Sequence, residues 1–332
     1  MPASVSRLLL DWYDMHARDL PWRARPGSPT PEPYRVWLSE VMLQQTTVAA
    51  VKPYYAAFTM RWPTVEALAA AEEADVMAAW AGLGYYSRAR NLVRAARAVA
   101  EQGGFPDTEA ELRSLPGLGA YTAAAVAAIA FGRRAVVVDA NVERVVARLF
   151  AIAEPLPGAR KAIRARADEI TPQGRAGDFA QAMMDLGATI CTPRDPRCLL
   201  CPLTKACEGR RTGDPARFPV KAGKRARPLR QGKAYWIEAN GAVWLVRRPS
   251  AGMLGGMRAL PGDGWSARGD GEGGPVGERV GLVRHGFTHF DLELSVERLP
   301  DPTGDGEWWP LDRLNEAGLP TLFAKAARLA SA

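Results

Sequence analysis

Apolar side chains recur roughly every three to four positions along the first part of the chain, and Gly or Pro separates one such stretch from the next. This period places the apolar residues on one face of a helix. Alanine, the strongest helix former, is abundant in these stretches. The pattern predicts helices over Tyr34 to Phe58, Val65 to Ala81, Ser87 to Glu101, Thr122 to Phe131, Asn141 to Ile152 and Phe179 to Cys191.

The pattern changes after residue 233, where apolar and polar residues alternate in short runs between Gly-rich turns. Alternation of this kind predicts strands, here Ala234 to Ala239, Ala242 to Arg247 and Phe290 to Val296. Residues 209–232 show neither period and contain three prolines, which is typical of a linker. The predicted fold class is therefore a mainly α domain over residues 1–208, a basic linker over 209–232 and a small α+β domain over 233–332.

The length of 332 residues fits about two domains. With 47% hydrophobic and 24% charged residues the chain can bury its own core, which excludes disorder throughout. No apolar run approaches the roughly 20 residues of a membrane-spanning helix, and Asp11 and Asp14 interrupt the N-terminal apolar stretch. We therefore expect no signal peptide, no membrane association and a cytoplasmic protein.

The positive charge is concentrated in one segment. The formal net charge is +7, and between Gly209 and Lys233 nine basic residues stand against one acidic residue, Asp214. Such a segment favours a polyanionic partner such as nucleic acid, although a merely solvated charge run has the same composition.

All four cysteines, Cys191, Cys198, Cys201 and Cys207, fall within one short segment with the spacing C-x6-C-x2-C-x5-C. A disulfide framework would spread them along the chain, so the spacing indicates a metal site. Zinc sites usually have two short C-x2-C pairs, whereas only one is present here. An all-thiolate [4Fe-4S] cluster fits better; zinc and four structural thiols are the alternatives.

The segment Leu115-Pro-Gly-Leu-Gly-Ala-Tyr-Thr122 joins two helical patterns through a turn with two glycines. A helix that begins at such a turn presents free backbone N–H groups, so Gly117 and Gly119 mark a candidate phosphate-binding site. An ordinary connection between helices is the alternative interpretation.

This turn, followed by the four-cysteine segment, resembles the endonuclease III-like helix-hairpin-helix superfamily of DNA glycosylases. Within it the chain resembles the adenine DNA glycosylase family (MutY type), through the strings Leu20-Pro-Trp-Arg23, Trp37-Leu-Ser-Glu-Val-Met-Leu-Gln-Gln-Thr46, Gly82-Leu-Gly-Tyr-Tyr-Ser-Arg-Ala-Arg-Asn-Leu92, Asp139-Ala-Asn141 and Gln181-Ala-Met-Met-Asp-Leu-Gly187. The resemblance implies a monomeric enzyme of base excision repair. It would carry a [4Fe-4S] cluster and hydrolyse the N-glycosidic bond of adenine mispaired with 8-oxoguanine or guanine in double-stranded DNA.

Two carboxylates are candidates for the chemistry. On a helix, Glu40 has the apolar Trp37 and Leu43 within one turn, and an apolar surrounding raises the pKa of a carboxyl as a general acid requires. Asp139 follows an apolar run and precedes a helix, which also suits an N-cap. A surface glutamate and a purely structural cap are the alternatives.

The resemblance implies that Glu40 protonates N7 of the flipped adenine and that Asp139 stabilises the oxocarbenium-like sugar, directly or through a covalent intermediate. Asn141 would orient Asp139 and the attacking water. Tyr121, which would hydrogen-bond into the same pocket, stands where backbone-cleaving relatives have a Schiff-base lysine. This predicts a monofunctional enzyme; an endonuclease III-like glycosylase and lyase acting on oxidised pyrimidines and a non-catalytic iron–sulfur DNA-binding protein are the alternatives.

Further residues are candidates by resemblance alone. Gln45 and Tyr85 match the family's wedge residues, and Thr46 and Leu83 accompany them as DNA contacts. The adenine pocket is matched by Leu20, Trp22, Arg23, Leu43 and Gln181. Leu43 and Trp22 also suit an ordinary hydrophobic core.

The second domain resembles the Nudix-like module with which this family recognises 8-oxoguanine. A pyrophosphatase would need the string G-x5-E-x7-R-E-x2-E-E, which does not occur in Gln231 to Ala332. We therefore expect recognition rather than hydrolysis, through Phe287, Thr288 and His289. The segment Gly252 to Pro261 departs from the family pattern.

Overall fold

The computed structural model describes residues 2–223, 226–249 and 253–331, with side chains from residue 4 onward. They form two compact units, Met1–Val76 with Ser87–Gly223, and Met77–Tyr86 with Lys224–Ala332. The predicted fold class, a helical part followed by an α+β part, is confirmed. The domain limits at residues 208 and 233 stay a prediction.

The first unit is built from helices joined by turns and loops. Their bounds are α1 Pro2–His16, α2 Pro33–Met42, α3 Val48–Arg61, α4 Val65–Ala69, α5 Glu73–Ala79, α6 Ser87–Glu101, α7 Glu109–Leu112, α8 Ala120–Phe131, α9 Ala140–Leu149, α10 Arg160–Ile170, α11 Ala176–Thr189 and α12 Glu208–Arg211. Helix α5 extends beyond this unit into the segment grouped with the second. None of the described helices is both long and apolar enough to cross a membrane.

Helix α8 is the centre of this unit, because almost every residue from Thr122 to Ala130 is buried. Helices α2, α7 and α11 pack around it. Two glycines allow α11 to approach its neighbours closely: a Cβ at Gly177 would lie 2.4 Å from the carbonyl oxygen of Ala128, and a Cβ at Gly187 would lie 2.6 Å from Cβ of Asn141. Helix α11 is thereby packed against both α8 and α9.

The helix predicted over Tyr34 to Phe58 is two helices, which corrects the prediction. The chain leaves α2 after Met42, and Gln45 has a left-handed backbone with φ of 56°. Thr47 then caps α3, because its side chain accepts a hydrogen bond from the backbone N–H of Ala50. The predicted Val65 to Ala81 helix is likewise divided into α4 and α5, and the sequence pattern did not predict α1 or α10.

The second unit contains two sheets and a helix. Their bounds are β1 Leu229–Trp236, β2 Glu238–Ala239, β3 Ala242–Arg247, β4 Arg258–Ala259, β5 Glu278–Gly286, β6 Asp291–Arg298, β7 Gly306–Pro310 and α13 Thr321–Ala330. One sheet has the order β1-β6-β5, with β1 parallel to β6; in the other, β3 pairs with β2, β4 and β7. Helix α13 packs on the first sheet, and the core includes Trp236, Leu245, Phe290, Leu294 and Phe323.

The segment predicted as a linker is partly structured. Helix α12 packs against α9, where a Cβ at Gly209 would lie 2.5 Å from the carbonyl oxygen of Arg148. At the other end, β1 begins at Leu229, inside the predicted segment. Lys224 and Arg225, two of its basic residues, lie outside the described residues.

Candidate active site

Glu40 lies in the last turns of α2 and is only 6% exposed. Pro33 suits the first position of this helix because its missing N–H would be unpaired there. Arg88 of α6 fixes the other end, donating to the carbonyl oxygens of Val41 at 2.9 Å and Met42 at 3.1 Å. The guanidinium satisfies carbonyls that have no partner within a helix. Arg88 therefore holds the end of α2 that carries Glu40.

Tyr121, in the first turn of α8, donates a hydrogen bond from its hydroxyl to Oε2 of Glu40 at 2.5 Å. Burial raises the pKa of Glu40 to about 7, while the bond from Tyr121 and the charge of Arg23 act in the opposite direction. A carboxyl with this pKa is substantially protonated near neutral pH. Glu40 can therefore donate a proton where an ordinary glutamate cannot.

Asp139 is the N-cap of α9. Its Oδ1 accepts a hydrogen bond from the backbone N–H of Val142 at 2.7 Å, and its Oδ2 accepts one from Nδ2 of Asn141 at 2.8 Å. The charge of Asp139 contributes to the raised pKa of Glu40, which places the two carboxylates in one site. The N-cap role and a role in chemistry are thus compatible, because capping fixes the carboxylate.

A hydrogen-bonded path leads from Asn141 to the cysteine segment. Arg144 donates to Oδ1 of Asn141 at 2.9 Å and, through Nε, to the carbonyl oxygen of Cys191 at 2.7 Å. It also donates to the carbonyl oxygen of Gly187 at 2.8 Å. The orientation of Asn141, and through it that of Asp139, depends on the backbone at the first cysteine.

All four cysteines are half-buried, none forms a disulfide, and they line one pocket together with Arg148 and Ile190. Arg148 donates to Sγ of Cys191 at 3.4 Å. Among the described residues, no group of three or more His, Cys, Asp or Glu side chains is placed to hold a metal ion. Four thiols around one pocket are the donor set of an all-thiolate iron–sulfur cluster and also of a zinc site.

The turn before α8 contains Gly117 and Gly119, the two glycines that the sequence predicts to bind phosphate. Gly117 has φ of +77°, and a Cβ there would lie 2.6 Å from Cβ of Asn91. Gly119 is the N-cap of α8 and has no side chain to occupy the first N–H groups of that helix. Both glycines are exposed. These N–H groups can therefore receive an anion from solvent.

Comparisons with known proteins agree with this geometry. The chain matches the HhH-GPD superfamily base excision DNA repair protein model over residues 38–172 and the NUDIX domain model over residues 233–329. An adenine DNA glycosylase from Mycolicibacterium smegmatis is 45% identical over 210 residues, covering 63% of this chain and 70% of the relative. The chain belongs to the adenine DNA glycosylase family.

Longer members of the adenine DNA glycosylase family are also similar. The human one is 38% identical over 310 residues, covering 77% of this chain. The chain spans only 57% of the length of that human relative and 46% of one from Arabidopsis thaliana.

Solved structures of other glycosylases resemble the helical part. A thermostable thymine-DNA glycosylase has a TM-score of 0.56 and 32% identity, covering 63% of this chain and 95% of that one. An endonuclease III in a non-covalent DNA complex, with a TM-score of 0.53 and 23% identity over 63% of this chain and 94% of that one, shares the fold.

The residues that match the adenine pocket of this family are mostly buried. Leu20 and Trp22 are 6% and 5% exposed, and Trp22 packs edge-on against Tyr55. Leu43 is half-buried. Buried Gln181 donates to the carbonyl oxygen of Gly177 at 3.4 Å. Burial alone also suits a core role for Leu20, Trp22 and Leu43.

The residues that match the family's wedges have an uncommon backbone. Gln45 and Tyr85 have φ of 56° and 48°, a region that costs energy for residues other than glycine. Gln45 is exposed and Tyr85 is 51% exposed. Half-buried Thr46 donates to the carbonyl oxygen of Gln44, and Leu83 is buried. Exposed, strained side chains of this size are typical of functional positions.

In the second unit, Phe287 leaves β5 and stacks on Phe290 at 4.7 Å. Thr288 and His289 are exposed at the tip between them. Arg227 holds this loop, donating to the carbonyl oxygen of Phe287 at 3.0 Å and pairing with Asp291 at 3.1 Å.

The segment Gly252 to Pro261, which departs from the family pattern, is partly described. Gly252 lies outside the described residues, while Met257, Ala259, Leu260 and Pro261 are buried.

Four residues that hold these groups in place were not predicted from the sequence: Arg88, Arg144, Asp185 and Arg227. Arg88 and Asp185 lie inside family-like strings, and Arg227 lies in the basic segment, which is a weak signal for each. The contacts Arg88–Val41, Arg144–Cys191, Arg23–Asp185 and Arg227–Asp291 join residues that are far apart in the chain, so no local pattern could reveal them.

Proposed function

We propose that this chain is a monofunctional DNA glycosylase that releases adenine mispaired with 8-oxoguanine or guanine in double-stranded DNA, acting as a monomer. The observation that carries the proposal is the buried carboxyl of Glu40, hydrogen-bonded by Tyr121 at 2.5 Å beside Asp139. Membership of the adenine DNA glycosylase family supports the choice of adenine.

The chemistry follows from the poor leaving ability of an adenine anion. Glu40 protonates N7, so that the base departs as a neutral molecule. The sugar develops positive charge, which Asp139 stabilises through a carboxylate already fixed by the N–H of Val142 and by Asn141. Water then attacks the sugar, and Glu40, now ionised, can accept its proton.

The absence of an amine at residue 121 supports hydrolysis without strand cleavage. A bifunctional glycosylase attacks the sugar with a lysine and forms a Schiff base. The phenol of Tyr121 is hydrogen-bonded to Glu40, and burial keeps its pKa well above the ordinary value. It serves as a neutral hydrogen-bond donor and not as a nucleophile.

Access to adenine requires the base to leave the duplex, which costs a few kcal/mol. We assign Gln45 and Tyr85 to filling the gap, with Thr46 and Leu83 beside them in the chain. Leu20, Trp22, Arg23, Leu43 and Gln181 receive the base. The N–H groups at Gly117 and Gly119 bind a backbone phosphate, which positions the enzyme on DNA without reading sequence.

We further propose that Cys191, Cys198, Cys201 and Cys207 hold a [4Fe-4S] cluster. The support is the pocket that these four thiols share and a sequence spacing with only one C-x2-C pair, which zinc sites usually have twice. When bound, the cluster supplies a cross-link that shapes the segment around it, with exposed Arg194 and Arg197 available to phosphate. Arg144 connects the same segment to Asn141.

For the second unit we propose recognition of 8-oxoguanine by Phe287, Thr288 and His289. Phe287 is braced by Phe290 and Arg227, which leaves the hydroxyl of Thr288 and the imidazole of His289 exposed. The match to a NUDIX domain without the pyrophosphatase string supports binding rather than hydrolysis.

A single-turnover assay tests the function. Duplexes containing A:8-oxoguanine, A:G and thymine glycol:A are incubated with excess protein, and base release is measured with and without alkali, alongside borohydride trapping. We expect adenine release that needs alkali for strand cleavage and no trapped complex. Efficient trapping with release of oxidised pyrimidine would establish the lyase instead, and absence of any base release would indicate a binding protein.

A further inference from the structure

A buried ion cluster holds the segment from Arg18 to Arg23, which includes the candidate pocket residues Leu20 and Trp22. Asp185 of α11 is 0% exposed and accepts three hydrogen bonds. The backbone N–H and Nε of Arg18 donate to it at 3.1 and 2.5 Å, and Nη1 of Arg23 donates at 2.7 Å. Both oxygens of the carboxylate are used, so Asp185 fixes the two arginines on α11.

Arg23 is the member of this cluster that acts on Glu40. Its side chain is only 7% exposed, so water screens its charge weakly. Its charge lowers the pKa of Glu40, against the effect of burial. An arginine without a counterion at this position would favour the ionised carboxylate, which cannot protonate adenine.

We propose that Asp185 is a positioning residue that holds Arg23 on α11 and balances the charge that this buried arginine exerts on Glu40. The inference rests on the proposed role of Glu40 as the acid that protonates adenine. It assigns to Asp185 an electrostatic function in addition to its part in packing.

The other charged and titratable groups near Glu40 and Arg23 do not replace Asp185 as the counterion of Arg23. Facing Glu40 are Tyr121 of α8, Asp139 before α9, and Arg23. Facing the ion cluster is Tyr13 of α1, whose pKa is raised to about 12 by burial, so that it is neutral.

Arg18 and Asp178 are further charged groups that act on Tyr13. Arg18 is itself bound by Asp185, and Asp178 is paired with Arg175 at 2.8 Å. Replacement of Asp185 by a neutral residue would therefore leave two arginines without their shared counterion.

The first test is Asp185→Asn, which keeps the shape and removes the charge. The single-turnover rate on an A:8-oxoguanine duplex is measured from pH 5 to pH 9. The alkaline limb of the pH–rate profile is the range in which the rate falls because Glu40 loses its proton. We expect this limb to move to lower pH by about one unit in Asp185→Asn, which lowers the rate at pH 8 about tenfold. Asp185→Glu, which keeps the charge, should retain the wild-type limb.

A paired variant keeps the test decisive if the lone Asp185→Asn chain is unstable, because loss of one partner of a buried pair is strongly destabilising. Arg23→Met alone keeps the charge of Asp185, and Arg23→Met/Asp185→Asn removes it. The alkaline limb of Arg23→Met should therefore lie at higher pH than that of the double variant, because the remaining carboxylate favours the protonated form of Glu40. Limbs at the same pH in these two variants would show that the charge of Asp185 does not reach Glu40 and would overturn the inference.

A purely structural role has a different signature. It would lower the rate by the same factor at every pH in folded Asp185→Asn protein, with the limb unmoved, and this outcome also overturns the inference. Failure of the proposed function is distinguishable, since the wild-type protein would then release no adenine or Glu40→Gln would retain the wild-type rate.

Discussion

The hydroxyl of Tyr121 lies 2.5 Å from Oε2 of Glu40, and these residues are 81 positions apart in the chain. This bond favours the ionised carboxylate, whereas burial favours the protonated one. Burial prevails, and the pKa of Glu40 settles at about 7. The bond therefore orients the carboxyl of Glu40 and lowers its proton affinity, and burial more than offsets that loss of proton affinity.

Tyr121→Phe should move the alkaline limb of the pH–rate profile to higher pH, because the bond that lowers the pKa of Glu40 is lost. We expect a shift of up to about one unit. The maximal rate should fall about tenfold as Glu40 loses its orientation. The profile is measured by single-turnover adenine release; a limb shifted to lower pH would contradict this account.

Glu40→Gln should lower adenine release by about 100- to 10,000-fold while DNA binding is kept, because an amide of the same shape cannot protonate N7. Glu32→Gln is a matched control, since Glu32 is about half exposed beside Arg35 at the start of the same helix. Binding to a duplex with a non-cleavable adenine analogue is measured in parallel. More than a tenth of the wild-type rate in Glu40→Gln would exclude Glu40 as the acid.

Glu40→Gln should also change how stability depends on pH. The folded pKa of about 7 lies above the ordinary value of 4.5, so the folded state holds the proton more tightly than the unfolded state does. The wild-type protein therefore loses stability as pH rises from about 4.5 to 7, by about 3 kcal/mol. Unfolding experiments should show similar stabilities for both proteins near pH 4.5 and a more stable Glu40→Gln protein at pH 8. A constant difference across this range would contradict the raised pKa.

The purified protein should be yellow-brown with about four irons per chain if the cysteines hold a cluster. Cys198→Ser should lose iron and DNA affinity together, because exposed Arg194 and Arg197 lie in the segment that the cluster shapes. Iron analysis, absorbance and salt-dependent DNA binding test this, with Thr204→Ser in the same pocket as the control. Stoichiometric zinc in a colourless, active protein would overturn the assignment.

His289→Ala should lower the preference for A:8-oxoguanine over A:G by roughly 5- to 150-fold, the effect of one or two hydrogen bonds. Arg227→Met should do the same without touching the lesion, since it releases the carbonyl oxygen of Phe287 and the pair with Asp291. Arg284→Met, on an arginine 79% exposed, is the control. Unchanged preference in both test variants would assign lesion recognition to the first unit.

The sequence by itself determined those features of the protein that depend only on residues adjacent in the chain. The apolar period predicted α6 over Ser87–Glu101 and β3 over Ala242–Arg247 with their observed bounds. Local strings were also enough to indicate the family, which the comparisons confirmed. Helix period, strand alternation and short motifs are properties of adjacent side chains, so a linear pattern contains them.

Other features were decided only by the tertiary structure. The break between α2 and α3 was missed, because the polar residues Gln44 to Thr47 also suit the solvent-facing turn of one continuous helix. In the structure Gln45 has a left-handed backbone, and Arg88 holds the end of α2 through the carbonyl oxygens of Val41 and Met42. Strands β5 and β7 were missed for a related reason: each is held by pairing with a partner strand, β6 and β3 respectively.

The chemistry of Glu40 shows the same division. Its apolar helix neighbours predicted a raised pKa, but the donor Tyr121, the opposing charge of Arg23 and the Asp185 that binds Arg23 come from three other parts of the chain. Charges act through space and burial depends on every packed element, so the pKa of a buried acid is a property of the folded molecule. The sequence predicted Glu40 as the candidate acid, and tertiary packing set its proton affinity.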